Sequence, residues 1–577
     1  MTKISNTILL RSKISLLLLS LCVFSAQAKQ PVIRPVALTP AQSALLDRAI
    51  NNEKILAKEL QKRTPIVQTY IQNMKTDPAL SLVPSSDKYI LSRVDFDKSF
   101  RANGYRDKSA RWSLTHTSTA ALDTINKALG LGVEYLPTGF MDMMFIDPDS
   151  FDRQHYDFGF VRNEFLGNVR TEVFDVIPHN KSENGRFTGR IWIEDEEGHV
   201  VRLNGIYSGN DHFDLPRYFH FDSWRTNLQP GLWLPAAIYV EESRKFDGFP
   251  DLRAQTTFWG YSLRIPTRDS ESASIRIDDV TDQSDAAQDV SPMEARRAWV
   301  AQAEANVLDR LVQAGVLAPP SDFDKVLETV TNNLIIGNNL ELPTAIHCRV
   351  LLTAPLESLA VGNTILVSKG LIDVLPSEED LAAILSFQLA HISMGHYVDT
   401  RFAFNDRLLF PDTSTFQRIS MNHSESDDSL AAKKAMQLLN NSVYHDRLGN
   451  AGLFFVQLEA RAKELKALTT PRLGDSLLDT NGTPWLAELT KNAPKLDTDN
   501  MQQIAALPLG SHLKVDGWDD RVSSLNAKPM AMLNARDKTP FELTPVFLKL
   551  SRYTQPGPVG ASVSSAAPAE GAGRQPQ

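Results

Sequence analysis

The residues with the most chemical capacity in this chain lie on one segment, Ser377 to His396, which reads Ser-Glu-Glu-Asp-Leu-Ala-Ala-Ile-Leu-Ser-Phe-Gln-Leu-Ala-His-Ile-Ser-Met-Gly-His. The imidazoles of His391 and His396 are metal donors and proton carriers at neutral pH. Gln388 has the shape of a glutamate but no basicity, so it cannot take a proton from water. Five residues apart, the two histidines stand about 140° round a helix, too far to share one face. Ser377 is a good N-cap, and Glu378, Glu379 and Asp380 fall where the helix dipole favours negative charge. Ile384, Phe387, His391 and Met394 make one apolar-leaning stripe. His347, His423 and His445 need the fold to bring them here, and each reads singly as a satisfied or surface histidine.

The stretch Leu359 to His396 resembles zinc metallopeptidase family forty-eight, the family of HtpX and BepA. The matching residues are Thr364-Ile-Leu-Val-Ser-Lys-Gly-Leu371, Asp380-Leu-Ala-Ala-Ile384 and the Gly395-His396 ending. Peptidases of this kind hold zinc with two histidines four apart on a helix, and the glutamate after the first histidine polarises the bound water. Laid on that pattern, the first histidine falls on Phe387, the glutamate on Gln388 and the second histidine on His391. The third ligand, the Glu of a later ExxxD, falls on Ser442, with the Asp kept as Asp446 and Gly449 following.

The resemblance therefore implies a peptidase domain without its chemistry. Phe387 cannot bind a metal, Ser442 is a weak neutral donor, and loss of the general base alone costs on the order of 10²–10⁴ in rate. One remaining ligand is short of the usual three for a catalytic zinc. Phe387 is expected to fill the space of the metal and His391 to be a hydrogen-bonded core histidine, vestigial as a ligand. No catalytic residue and no cofactor is expected; the alternative is an active zinc-dependent metalloendopeptidase with noncanonical ligands, and zinc belongs to that reading. In such peptidases the strand before the zinc helix often pairs with extended substrate, which points to Val361, Asn363, Thr364, Ile365 and Val367 as an edge that binds peptide.

The elements that must position these residues are mixed. Thr39-Pro40 opens an amphipathic helix to about Arg63, and a second helix is expected over Pro65 to Met74. Strands follow. Phe187 to Glu194 alternates, Glu196-Glu197-Gly198 turns, and Val201, Leu203 and Ile206 return; Gly231 to Glu241 repeats the period. Several such runs without intervening helices argue for an antiparallel sheet. Beyond a polar stretch, Ser291-Pro292-Met293-Glu294 is a capping box that opens a helix to Gly315. Further helices are expected at Asp322 to Leu334, Glu378 to Tyr397 and Leu430 to about Leu448, with strands at Ala345 to Leu352 and Thr364 to Ser368.

The strand-rich region also resembles the LolA and LolB half-barrels that carry lipoprotein acyl chains, on the strength of Gly189-Arg-Ile-Trp-Ile-Glu194 and the returning Val200-Val-Arg-Leu-Asn-Gly205. That resemblance implies an apolar concave face under helices. Phe158, Phe160, Trp224, Trp233 and Trp259 either line it or form core. Asp222-Ser223-Trp224-Arg225 stands out as a cluster without an assignable role.

The fold class expected is α+β: an N-terminal antiparallel half-barrel with helices, then a mainly helical metallopeptidase-like (zincin) domain with a small sheet. Its divisions are residues 1–28, a signal peptide; 29–87, a helical arm; 88–265, the LolA-like sheet domain; 266–290, a linker; 291–554, the metallopeptidase-like domain; and 555–577, a disordered tail. Lys3, Arg11 and Lys13 before the apolar run Ile14 to Phe24, then Ala26-Gln27-Ala28, form a secretory signal with cleavage after Ala28. The run is about half the length of a membrane span. After cleavage Cys348 is the lone thiol, so no intramolecular disulfide forms, and burial is its expected state. A hydrophobic share of 42% with 22% charged residues suits a packed globular chain, and a net charge of −9 without a basic patch argues against nucleic acid. Together these readings make an envelope protein, periplasmic or secreted, soluble but near membranes. Its expected partners are extended or unfolded polypeptide or lipoprotein clients, with a plain structural or assembly role as the remaining possibility.

Overall fold

The computed structural model describes residues 38–94 apart from 78–80, residue 96, residues 137–261 apart from 149, 181–184, 209–216 and 245–251, residues 292–398, residues 421–495 apart from 471–472, and 513–515, 522–524 and 541–553 apart from 544. The signal segment 1–28, the linker 266–290 and the tail 555–577 lie outside the described residues. Helix α1 (Pro40–Gln61) starts at Thr39, whose hydroxyl and the Gln42 side chain form a reciprocal capping box. Then come β1 (Ile66–Asp77), β2 (Ser81–Arg93), β3 (Tyr156–Leu166), β4 (Val169–Pro178), β5 (Phe187–Glu194), β6 (Val200–Tyr207), β7 (Arg217–Gln229), β8 (Leu232–Arg244) and β9 (Leu252–Trp259). They form one antiparallel sheet of nine strands in the order β2-β1-β9-β8-β7-β6-β5-β4-β3, open at β2 and β3.

The helix expected over Pro65 to Met74 is β1, paired with β2 on one side and β9 on the other. The arm at 29–87 is therefore helical only through α1, and the sheet begins at Ile66 rather than after residue 87. Ile66, Val67, Tyr70, Ile71 and Met74 are all buried. Both faces of β1 are covered, so the strand carries no polar face and its apolar residues happen to fall at helical intervals.

One face of the sheet carries a core of Phe174, Phe187, Ile191, Phe221, Ile238 and others, closed by α1 and by a 3-10 turn, Pro137–Met144. Gly189 and Gly205 face each other across β5 and β6 because a Cβ on either would strike the neighbouring backbone and the Phe187 ring. The five aromatics expected on one concave face divide three ways. Phe158 and Phe160 belong to this core, Trp224 and Trp233 to a cluster on the other face, and Trp259 to the contact with the second half.

The second half runs α2 (Pro292–Gln313), α3 (Asp322–Gly337), β10 (His347–Leu351), β11 (Glu357–Val361), β12 (Thr364–Ser368), α4 (Lys369–Val374), α5 (Glu378–Met394), α6 (Glu425–Asn440), α7 (Leu448–Arg461) and β13 (Asp475–Ser476). Its sheet has the order β10-β12-β11-β13, with β10 parallel to β12. Helix α5 is buried among α3, α6 and α7. Cys348 is buried against the Thr331 hydroxyl at 3.4 Å, and burial pushes its thiol up to about 12.

The halves share one core. Ile66, Tyr70, Leu91, Tyr239 and Trp259 pack with apolar residues of the second half, and the Trp259 indole donates to the Gly315 carbonyl at 2.9 Å. Asp87 accepts from the backbone of Ala467 and Leu468, each at 2.8 Å. Residues 545–553 lie across the first sheet, so a boundary at 554 does not confine the C-terminal part to its own domain. Leu550 joins Trp192, Trp224 and Trp233, and Arg552 pairs with Glu194 at 2.9 Å and Asp195 at 3.2 Å. Among the described residues, no helix is long and apolar enough to cross a membrane.

The cluster Asp222 to Arg225 is structural. Asp222 holds Arg202 at 2.8 and 2.7 Å, and that guanidinium lies between the rings of Trp192 and Trp224 at 4.4 and 4.3 Å. Arg225 is buried and forms a two-pronged pair with Glu53 of α1, while also donating to the carbonyls of Val200 and Met144. Removing one partner of a buried pair leaves the other charge uncompensated, at roughly 3–5 kcal/mol. Glu53→Gln should therefore lower the thermal midpoint markedly by circular dichroism, whereas Asp47→Asn, which loosens an exposed pair with Arg153, should leave it nearly unchanged.

Candidate functional site

Ser377 precedes α5 and three acids occupy its first turn, as the dipole favours. The helix stops at Gly395, whose φ of 69° is a left-handed conformation that glycine adopts without strain. The chain then folds back, so the His396 amide donates to the His391 carbonyl at 3.0 Å and its ring returns toward His391. Their Nδ1 atoms lie 3.1 Å apart. The 140° separation expected of two histidines on a continuing helix does not hold, because the helix ends between them.

Phe387, Gln388 and His391 are all buried. The Phe387 ring meets His391 edge-on, with centroids 4.9 Å apart. The Gln388 amide nitrogen donates to Ser358 Oγ at 2.8 Å and to Asp475 Oδ2 at 3.1 Å. Its carbonyl oxygen has no hydrogen-bond partner.

His423, expected to be a satisfied or surface histidine, lies at this centre. It precedes α6, which begins at Glu425, earlier than the expected Leu430, because Ser424 accepts from the Asp427 amide. The His423 amide donates to Asp475 Oδ1 at 2.7 Å, and its Nδ1 lies 2.8 Å from Asp475 Oδ2. Its ring stacks on His391 with centroids 3.9 Å apart. Asp428, in the first turn of α6, brings Oδ1 to 3.4 Å from His391 Nε2, outside hydrogen-bond geometry. One atom each from His391, His423, Asp428 and Asp475 lie within 4.8 Å of one another, all buried. Burial raises the Asp428 carboxyl above its ordinary value, partly offset by His391. Among the described residues two groups of side chains could hold a metal ion, this one, wholly buried, and Glu194, Glu197 and His199, of which Glu197 is exposed.

Ser442 is not part of it. Its hydroxyl donates to the Leu439 carbonyl at 2.7 Å and accepts from the Tyr444 amide at 3.2 Å, a turn-closing role. The carboxylates near His391 are those of Asp428 and Asp475. His347 is exposed beside Glu328 and His445 is exposed. The expected peptide-binding edge is also corrected. Thr364, Ile365 and Val367 lie in β12, which is hydrogen-bonded to β10 on one side and β11 on the other, so its backbone groups are spent. Val361 ends β11 and is buried, and Asn363 sits in the turn, donating to the Ala345 carbonyl. The signals that point to the true centre were short: Ser424 followed by acids for the early start of α6, and nothing local for His423.

No known family matches this chain, and no curated protein matches it. Among solved structures, a LolA-superfamily protein of Nitrosomonas europaea, NE2245, aligns with 40% of this chain and 97% of its own length at 12% identity, with a TM-score of 0.19. The MucA/MucB complex of Pseudomonas aeruginosa aligns with 37% of this chain and 93% of its own at 9% identity, with a TM-score of 0.12. Overlaps this low carry no argument about function. The class defined by the coordinates is a mixed α+β protein with a nine-stranded antiparallel sheet joined through a shared core to a helical region with a small sheet.

Asp380, on the same helix, is buried, and burial pushes its carboxyl up to about 6, with Ser377 donating to Oδ2 in partial compensation. A carboxyl raised above its unfolded value stabilises the fold when protonated, and that contribution is lost as pH rises from about 4 through about 6. Asp380→Asn removes the charged form. The difference in thermal midpoint, variant minus parent, should therefore be more favourable at pH 7.5 than at pH 4.5; an equal difference at both would refute it.

Proposed function

We propose that this chain is an exported envelope protein that holds extended or unfolded polypeptide, or lipoprotein, without cutting it, and that its second half is a metallopeptidase-like framework used for binding. The observation that carries the non-hydrolytic part is the amide of Gln388. It stands at the place of the general base, is fully buried, and spends its N–H groups on Ser358 and Asp475. A base must reach the proton it removes, and an amide has no affinity for one. The export signal at residues 1–28 supports the envelope location. Exposed Ile336 and Val443 support client holding. They lie near the end of α3 and in the turn after α6, which meet where Gly337 packs against the backbone at Asn441 and Ser442.

A second reading, an active zinc endopeptidase, is favoured only by the convergence of His391, His423 and Asp428. One pair of assays separates the two. The protein should slow the aggregation of a reduced, unfolded model client at equimolar ratio while leaving casein intact, with or without added zinc. Gln388→Glu should remain inactive and melt lower, because its carboxylate would be buried against that of Asp475. Casein cleavage by the parent that disappears in His391→Ala overturns the non-hydrolytic reading; unchanged aggregation overturns the client-holding one.

A further inference from the structure

We propose that His391, His423 and Asp428 are the ligands of a structural zinc ion, and that Asp475 and His396 orient the two imidazoles toward it. This goes beyond client holding and does not depend on it.

The argument begins with where the protons are. A carboxylate only accepts, so the 2.8 Å contact between His423 Nδ1 and Asp475 Oδ2 puts the proton on Nδ1. His423 Nε2 is then a bare lone pair. The 3.1 Å contact between His391 Nδ1 and His396 Nδ1 holds one proton between the two rings. With that proton on His391 Nδ1, His391 Nε2 is free to bind a cation in place of a proton facing Asp428. Asp428 Oδ1 adds a third acceptor, 3.4 Å from His391 Nε2.

All three atoms are buried, and none has a hydrogen-bond partner. Removing unpaired polar atoms from water is costly, and acceptors facing one another also repel. One cation satisfies all three. The chemistry fits zinc: two imidazole nitrogens and a carboxylate oxygen are its ordinary donors, and a tetrahedron with bonds of about 2.1 Å has edges of about 3.4 Å. The second shell has the form that fixes zinc-bound histidine, an Nδ1–H held by a carboxylate. The amide of Gln388 steadies that carboxylate, and Phe387 walls the centre with a ring.

Such an ion would tie together α5, the turn before α6, the first turn of α6 and, through Asp475, β13. His391 lies on a different helix from His423 and Asp428, so binding would show as stability. Three protein donors leave a fourth position, as catalytic zinc sites do, but every donor is buried and Gln388 is no base, so the metal's role here is structural.

The test uses the full chain, stripped with a chelator and titrated with zinc alone and with cobalt alone. The expected result is one zinc per chain by elemental analysis, a rise in thermal midpoint on adding zinc, and cobalt absorption bands of tetrahedral intensity. His423→Gln and Asp428→Asn should each abolish the zinc-dependent rise. Asp475→Asn, which leaves the three ligands in place, should weaken zinc binding about 10–100-fold. His347→Gln, outside the cluster, should change nothing. Should a ligand variant fail to fold, the cobalt spectrum of the parent decides alone. No metal uptake by the parent, or uptake that survives His423→Gln and Asp428→Asn in folded protein, overturns the proposal. So does stability that follows pH with no response to zinc, the behaviour of a plain imidazolium–carboxylate pair. These readouts involve neither casein nor a client, so they stand or fall apart from the function proposed above.

Discussion

The carboxylate of Asp475 is the fixed point of the second half. Each of its oxygens is engaged: Oδ1 by the His423 amide, Oδ2 by the His423 ring and the Gln388 amide. Burying a carboxylate is tolerable only when such donors replace water. Its own position is held by backbone pairing, Asp475 against Ser358 in β11. Glu357, one residue earlier, accepts from the backbone amides of Leu473 and Gly474 and from the Thr353 hydroxyl. Two buried acids thus set the chain just before and within β13, and that chain in turn sets the tautomer of His423. The geometry at His391 follows from hydrogen bonds that begin on a sheet edge.

The same need for complete pairing explains why the two halves form one unit. Strand β1 is covered on both faces, and its polar side chains reach outward for partners in the second half. Gln72 donates to the Phe541 carbonyl and accepts from the Leu543 amide, and Gln68 accepts from the Ala354 amide. The first sheet is likewise closed from behind by residues 545–553. Gly167 lets the Leu550 backbone come so close that a Cβ would strike its carbonyl. With one face filled by α1 and the Pro137–Met144 turn, the half-barrel is a packed layer rather than an open trough over the described residues.

What was legible in the sequence is what local rules decide. The cap at Thr39, the hairpin from Phe187, the burial of Cys348 and the α+β character each come from a few neighbouring residues. The failures came where long-range packing decides. In β1 the apolar positions fall at helical intervals because both faces are buried, and periodicity cannot report that. Strand β12 reads as an edge until a parallel partner, β10, arrives from earlier in the chain. His396 reads as misplaced until the left-handed turn at Gly395 brings it back. His423 carries no local signal, since its place depends on an aspartate 52 residues away.

Gln388 belongs with that aspartate. A glutamate there would set a second carboxylate about 3 Å from Asp475 Oδ2 in a water-free centre, and two such groups do not both ionise. One would take a proton, and either the base would be neutralised or the hold on His423 Nδ1 would fail. The amide avoids that conflict by donating where a carboxylate would repel. Phe387 follows the same logic: it meets His391 edge-on, and a ring that excludes water strengthens every contact around it. Gln388 and Phe387 are thus the residues that an arrangement built on Asp475 requires.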